Sequence, residues 1–326
     1  MSLDSDVIVD RRRIRRKLTF WRVVAALAAI AAIATIGVVA TPGGRNAFAT
    51  SGSIARVNIE GLIRSDHDRV EALERLEKSN AAAVVVHINS PGGTTAGSEQ
   101  LYDSLMRLKA KKPLVVVVEG LAASGGYITA IAADHIVAQQ TSLVGSIGVL
   151  FQFPNFSDLL KTVGVKVEEV KSSPLKAAPN GFEPTSPEAR AALDSLVKDS
   201  YAWFRGLVKA RRGMDDALLE TVADGRVFTG HQAVDLKLVD QIGDEKTAVA
   251  WLVAEKGVKA DLPVREYKLS PRFGDLTFLR TAASITLDAL GFGAIARRVE
   301  QAGVAQAVDR LGLDGMLALW QPAGTN

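Results

Sequence analysis

The sequence predicts an α/β protein built on a largely parallel sheet. Three observations predict it: short runs of β-branched residues recur along the chain, segments with apolar residues at helical spacing separate them, and turn-forming residues punctuate the junctions. Thr41-Pro42-Gly43-Gly44-Arg45-Asn46 reads as a linker, and Ile54–Ile59 is the first strand of the folded part. Val70, Leu73 and Leu76 mark a helix over 67–78, followed by the nearly continuous apolar run Ala82–Ile88, a strand covered on both faces. A helix over about 96–111 leads to the strand Leu114–Val118, and a helix starting at Ser124 leads to the strand His135–Ala138. Leu143–Phe151 and Val165–Val170 are further strand candidates. Ser186 as cap and Pro187 at the first position open a long helix ending near Arg212. Strand–helix–strand units of this kind cross over with right-handed connections, and no internal repeat is evident.

Composition narrows the chemistry. The 326 residues contain no cysteine, and the four histidines lack ligand spacing, so neither a disulfide framework nor a thiolate metal site is expected, and no metal or cofactor is called for. The formal charge is +3, but the first 22 residues alone contribute +4, which argues against nucleic acid as the main partner. That basic segment, with Arg11-Arg12-Arg13-Ile14-Arg15-Arg16-Lys17, precedes an uncharged apolar run from Val23 to Ala40. As a helix the run is about 27 Å long, close to the roughly 30 Å of a bilayer core. The positive-inside rule then keeps the short N-terminal segment cytoplasmic and exports the remainder. A cleaved signal peptide, with Ala47-Phe48-Ala49 as its site, is the competing reading. The expected organisation is a basic cytoplasmic segment (1–22), a transmembrane anchor (23–40), a linker (41–52), a catalytic domain (53–256) and a helical extension (257–326).

Three segments can carry chemistry. Ile88-Asn89-Ser90-Pro91-Gly92-Gly93 closes a buried strand just before a helix, where a backbone N–H such as that of Gly93 could stabilise an oxyanion; an ordinary turn is the alternative. Ser124, followed by Gly125-Gly126, falls at a strand-to-helix junction among small residues, as a nucleophile or as a helix cap. A serine hydroxyl needs a proton acceptor, and Lys176, in Ser173-Pro174-Leu175-Lys176, lies among small and apolar residues where desolvation would favour the neutral amine. A solvated loop lysine is the alternative there. None of the histidines obviously suits the serine: His87 lies inside an apolar strand, His135 begins one, and His67 and His231 sit in polar segments.

Together, Asn89–Gly93, Ala123-Ser124-Gly125-Gly126-Tyr127, Gly145-Ser146-Ile147-Gly148-Val149, Ser173–Lys176 and Ala223-Asp224-Gly225-Arg226-Val227-Phe228-Thr229-Gly230 resemble the signal peptide peptidase A family, in a short single-copy form. This family of membrane-anchored serine peptidases shares the fold of the Clp protease and crotonase superfamily. The resemblance implies repeated β-β-α units, Ser124 as nucleophile, Lys176 as general base, and oxyanion donors at Gly93 and Gly125. It further implies that Gly92, Gly145, Ser146 and Ile147 line the substrate groove or support the lysine. Lys171 is the rival for the base. The implied activity is degradation of remnant signal peptides, on the extracytoplasmic side of a bacterial inner membrane, by a homo-oligomeric ring whose sites are shared between protomers. A Clp-like Ser-His-Asp hydrolase using His135 and Asp134, and a non-catalytic membrane-tethered scaffold, are the alternatives.

Overall fold

The computed structural model describes residues 52–269 and 317–319. The expected anchor, 23–40, lies outside them, and among the described residues no helix is long and apolar enough to cross a membrane.

The elements follow the predicted rhythm. Strand β1 (Ser53–Ile63), helix α1 (His67–Glu77), β2 (Ala81–Thr94), α2 (Thr95–Lys109), β3 (Leu114–Ala123), α3 (Gly125–Ala130), β4 (His135–Ala138) and β5 (Leu143–Gly145) form the first half. Helix α4 (Ser157–Thr162), α5 (Pro187–Arg212), α6 (Asp216–Val222), β6 (Val227–Thr229), α7 (Gly230–Asp235), β7 (Gln241–Ile242), α8 (Glu245–Lys256), β8 (Val264–Glu266) and β9 (Leu317–Leu319) complete it. Local chemistry sets the helix ends. Asp66 and Thr94 cap α1 and α2 through side-chain acceptors, Ser186 accepts from Ala189 N at 3.1 Å before α5, and Gly213, at φ 60°, ends that helix.

Parallel pairs join β8 to β1, β1 to β2 and β2 to β3, while β5–β6 and β2–β9 are antiparallel. Beyond β3 the sheet forks. The first half of that strand, Val115–Val118, pairs with β4, which continues to β7; its second half, Leu121–Ala123, pairs with β5, which continues to β6. The alternate side chains of β1–β3 supply two cores. Val57, Ile59, Val84, Val86, Ile88, Val116 and Val118 are buried in the core that includes residues of α1, α2, α3 and α5. Ile54, Val85, Val115 and Val117 form a smaller core with Ala248 and Leu252 of α8. Two-sided burial explains why these strands read as unbroken apolar runs.

Three expectations need correction. The strand at 143–151 ends at Gly145, because Gly145 (φ 100°) and Ser146 (φ 51°) both leave the extended region. Residues 165–170 form no strand: Val165, Val167 and Val170 are exposed, and β-branched residues alone do not make a strand without a ladder partner. The compact fold runs past residue 256, because β8 closes the sheet beside β1; the described residues of the 257–326 extension include strands β8 and β9, and the rest of the expected helical extension lies outside the described residues.

Candidate active site

Ser124 sits where the second arm of the fork ends. It follows β3 directly and precedes α3, at φ 54° and ψ −115°, a conformation that an L-residue holds only when its surroundings enforce it. The enforcement is visible. The Ser124 N–H donates to Gly145 O at 2.8 Å, and its carbonyl accepts from Tyr127 N and Ile128 N, both at 2.9 Å. The residue is 1% exposed, and its hydroxyl donates to Gly148 O at 3.5 Å, a long contact. Such a strand-to-helix elbow presents an oxygen on a rigid backbone.

Helix α3 is only six residues long, so its position comes from tertiary anchors. Tyr127, fully buried, donates its hydroxyl to Leu238 O at 2.8 Å, and burial pushes that hydroxyl's pKa well above the usual phenol range. Arg211 of α5 donates to the carbonyls of Ile131, Ala132 and Ala133 just past the helix. On its inner side, a Cβ at Gly126 would stand 2.7 Å from Ser90 O, so only glycine lets α3 pack this closely on β2.

The Pro-Gly-Gly segment is part of β2 rather than a turn after it. Glu60 pairs with Asn89 and Leu62 with Gly92, leaving Ser90 and Pro91 opposite the single Gly61, a β-bulge that accommodates a proline lacking an N–H. Ser90, wholly buried, locks the bulge by donating to Gly61 O at 2.6 Å and accepting from Gly92 N at 3.1 Å. The Gly92 amide is thereby engaged, which leaves that of Gly93 as the better oxyanion candidate of the two. Gly93 tolerates no side chain: a Cβ there would lie 1.8 Å from Ile63 O.

The Gly-Ser-Ile-Gly segment wraps the other side of Ser124. Gly145 O holds the serine amide, Gly148 O faces its hydroxyl, and Ser146 N donates to Arg226 O at 2.8 Å, tying the segment to Gly225-Arg226. The side chain of Ile147 is buried in the main core, so any part it takes in lining a groove belongs to its backbone.

The structure separates the two lysine candidates. Lys171 is ion-paired with Glu169 at 2.6 Å and Glu183 at 2.5 Å, and hydrogen bonding to those carboxylates holds its amine above the usual lysine range, unsuited to accept a proton at neutral pH. Lys176 lies exposed in a turn closed by its own N–H to Ser173 O. Within one chain it makes no hydrogen bond to Ser124. Phe156, Leu159, Val163, Leu175 and Phe182 are exposed on the same stretch of chain, an unusual amount of apolar surface for a soluble face.

The Ser-His-Asp alternative fails on geometry. His135 stacks on Trp251 with ring centroids 4.6 Å apart and contacts Gln241 and Asp240, while Asp134 accepts from Leu114 N and meets Lys109 and Lys256. His87 bridges Glu119 and Glu245, each at 2.8 Å, and Arg56 makes a bidentate pair with Glu245. These residues line a polar cavity of about 370 Å³ on the α8 face of the sheet. Hydrogen bonding from Arg56 holds the Glu245 carboxyl below its ordinary range. Among the described residues no histidine bonds Ser124, and none combines with acidic residues in a metal-binding group.

A nucleophile-type serine on an elbow, flanked by a glycine bulge and a wrapping loop, defines a Clp-like α/β serine-hydrolase architecture. Sequence comparisons agree: the model for Peptidase family S49 matches residues 106–259, and that for Clp protease matches 63–142. The Synechocystis sp. protein slr0021, provisionally named a protease, is 36% identical over 65% of this chain and 78% of its own length. An Enterococcus faecium protein provisionally named signal peptide peptidase SppA is 31% identical over 68% of each chain. The chloroplast serine protease SPPA of Arabidopsis thaliana is 30% identical over 69% of this chain but 34% of its own. The chain belongs to peptidase family S49, with relatives named SppA.

Proposed function

We propose that the protein is a membrane-anchored serine endopeptidase of the Ser–Lys type that degrades remnant signal peptides after signal peptidase has released them. Ser124 is the nucleophile, Lys176 the general base, and the amides of Gly93 and Gly125 the oxyanion donors. The observation that carries this reading is the buried Ser124 on its enforced elbow, with no histidine hydrogen-bonded to it among the described residues. In the reaction a neutral lysine amine takes the Ser124 proton as Oγ attacks the scissile carbonyl, and backbone N–H groups stabilise the oxyanion. The resulting ammonium protonates the departing amine. The same amine then deprotonates the water that releases the acyl group and regenerates the serine.

Exposure of Lys176 beside apolar surface supports its delivery to the Ser124 of a neighbouring protomer, because burial of that surface between subunits would desolvate the amine. We therefore favour a homo-oligomeric ring with shared sites, held by the 23–40 segment at the bacterial inner membrane with its catalytic domain on the extracytoplasmic side. A fluorophosphonate probe should label the wild-type protein and not Ser124→Ala or Lys176→Ala. Mass spectrometry of membranes should find signal-peptide fragments accumulating in the Ser124→Ala strain. Undiminished labelling of the Lys176 variant would overturn the assignment of the base.

A further inference from the structure

The bend that aims Ser124 begins at Glu119. Strands β2 and β3 pair as far as Ile88–Val118 and again at Ser90–Ala122, so Asn89 stands opposite Glu119, Gly120 and Leu121. That bulge coincides with the fork: β4 pairs with β3 up to Val118 and β5 pairs with it from Leu121 onward, which leaves Glu119 and Gly120 between the two arms. At the near end of the bulge, Val118 O accepts from the buried Ser142 hydroxyl at 2.8 Å; past its far end, Ser124 N donates to Gly145 O at 2.8 Å. Between these fixed points a side chain takes hold. Glu119 Oε1 lies 2.8 Å from His87 Nδ1, and His87 Nε2 lies 2.8 Å from Glu245 Oε2. A neutral imidazole has one N–H, so with a carboxylate oxygen against each nitrogen both contacts are hydrogen bonds only in the doubly protonated ring. His87 is buried, and Glu245 is fixed twice: by Arg56, and by its place as first residue of α8, whose Ala248 and Leu252 sit in the smaller core. The cluster forms a brace from α8 through β2 to the bulge.

We propose that His87 is a positioning residue for Ser124: as a two-sided donor between Glu245 and Glu119 it fixes the β3 bulge, and through the bulge the place of the Ser124 hydroxyl relative to the Gly93 amide. The two strands that the brace joins both run on into the site, β2 from Ser90 to Gly92-Gly93 and β3 from Ala122 to Ser124. Slack taken up or released in the bulge therefore moves the nucleophile while the oxyanion donor stays in place. Gly120 shows how closely the bulge is drawn onto β2, because a Cβ there would lie 3.0 Å from Asn89 Oδ1. Misplacing a reacting group by about 1 Å costs up to about 100-fold in rate. Substrate affinity is spared, since His87 and Glu119 line the cavity on the α8 side of the sheet, away from the core in which α3 packs. The effect on turnover rests on the proposed peptidase function; the pinning of the bulge does not.

The test compares His87→Gln, Glu119→Ala, their double variant and His87→Arg in the full chain in detergent micelles, with hydrolysis of a fluorogenic apolar peptide as the readout. Each of the first two should lower kcat about tenfold with KM within about twofold of wild type. The double variant should be no worse than either, because both changes break one brace. His87→Arg, a cation with donors on two sides and the adjoining cavity of about 370 Å³ to take its extra length, should restore at least about half of kcat. Glu60→Gln, in the wall of the same cavity, should leave kcat unchanged. Should His87→Gln fail to fold, Glu119→Ala, a change at an exposed residue, decides alone. Unchanged kcat in Glu119→Ala would overturn the proposal, as would additive losses in the double variant or an arginine no better than glutamine. If the wild-type protein hydrolyses no peptide, the peptidase reading fails, and crystal structures still settle the brace. Superposed on β1 and β2, Ser124 Oγ of Glu119→Ala should lie about 0.5 Å or more from its wild-type place, and coincident positions would overturn the proposal.

Discussion

Gly93→Ala should cost the protein both its stability and its activity. The methyl group would be placed 1.8 Å from Ile63 O, 2.5 Å from Ile63 C and 2.6 Å from Ile63 N. All three are backbone atoms of β1, which is laddered to β2 as far as the Ile63–Gly93 pair itself, so no side chain can swing aside. Relief requires prying β1 from β2 at its C-terminal end. Overpacking of this kind costs about 3 kcal/mol or more. For a folded unit of this size that corresponds to a fall in Tm of about 6–12 °C. Scanning calorimetry or circular dichroism on the purified protein would measure it, with fluorophosphonate labelling run in parallel at a temperature where the variant remains folded. Gly206→Ala is the control. Position 206 lies within α5 with nothing within 4 Å of its built Cβ, so the change should be neutral or raise stability by up to about 1 kcal/mol. A Gly93→Ala protein melting within about 1 °C of wild type would refute the packing argument, since no relaxed β1 could then also be the β1 described above.

Subunits carrying Ser124→Ala and Lys176→Ala, each inactive alone, should recover about one quarter of wild-type activity when co-assembled at equal amounts, because a quarter of neighbouring pairs then join an intact serine to an intact lysine; no recovery would place both groups in one protomer. Lys171→Met should retain near-wild-type turnover, since that amine is committed to Glu169 and Glu183, and loss of the pH–rate profile's basic-group limb in this variant would reverse the choice of base. The Glu245 carboxyl is held below its ordinary value of 4.5 by Arg56, so its contribution to stability is present above that value and is lost as pH falls through the lower folded-state value. Glu245→Gln should therefore flatten the acid limb of a Tm-against-pH curve, and an identical limb in the variant would count against the pair. Ser90→Ala should lower kcat by loosening the Ser90–Pro91 bulge that positions Gly92 and Gly93, while leaving nucleophile labelling by small probes largely intact, a split that simple unfolding would not give.

Much of the frame could be read from residue order, and the failures have definite causes. The strands at 82–88, 114–118 and 135–138 were legible because burial on both faces leaves continuous apolar runs, and the start of α5 was legible because Ser186 and Pro187 are local signals. Pro91-Gly92-Gly93 misled in the opposite sense: residues that usually stop a strand here ride a bulge and continue it, which depends on Gly61 in another strand. The Val165–Val170 segment has strand composition but no neighbour to pair with inside one chain. In the site, Ser124 was visible from its small neighbours, whereas Ser90 and Gly148 were not, because their roles lie in contacts formed by the fold. The difference between Lys171 and Lys176 was equally hidden, resting on where two glutamates fall.

The fork in β3 carries a consequence for how this molecule loses function on heating. Ser124 hangs from the lesser branch, whose partner strands β5 and β6 span three residues each, while the first half of β3 is clamped in the central ladder. A short antiparallel flap of this sort opens by sub-global fluctuation at lower free energy than the ladder beside it. Inactivation should therefore precede melting, and the Ser124 amide should exchange its hydrogen sooner than those of Val116 or Val117 two turns of pleat away.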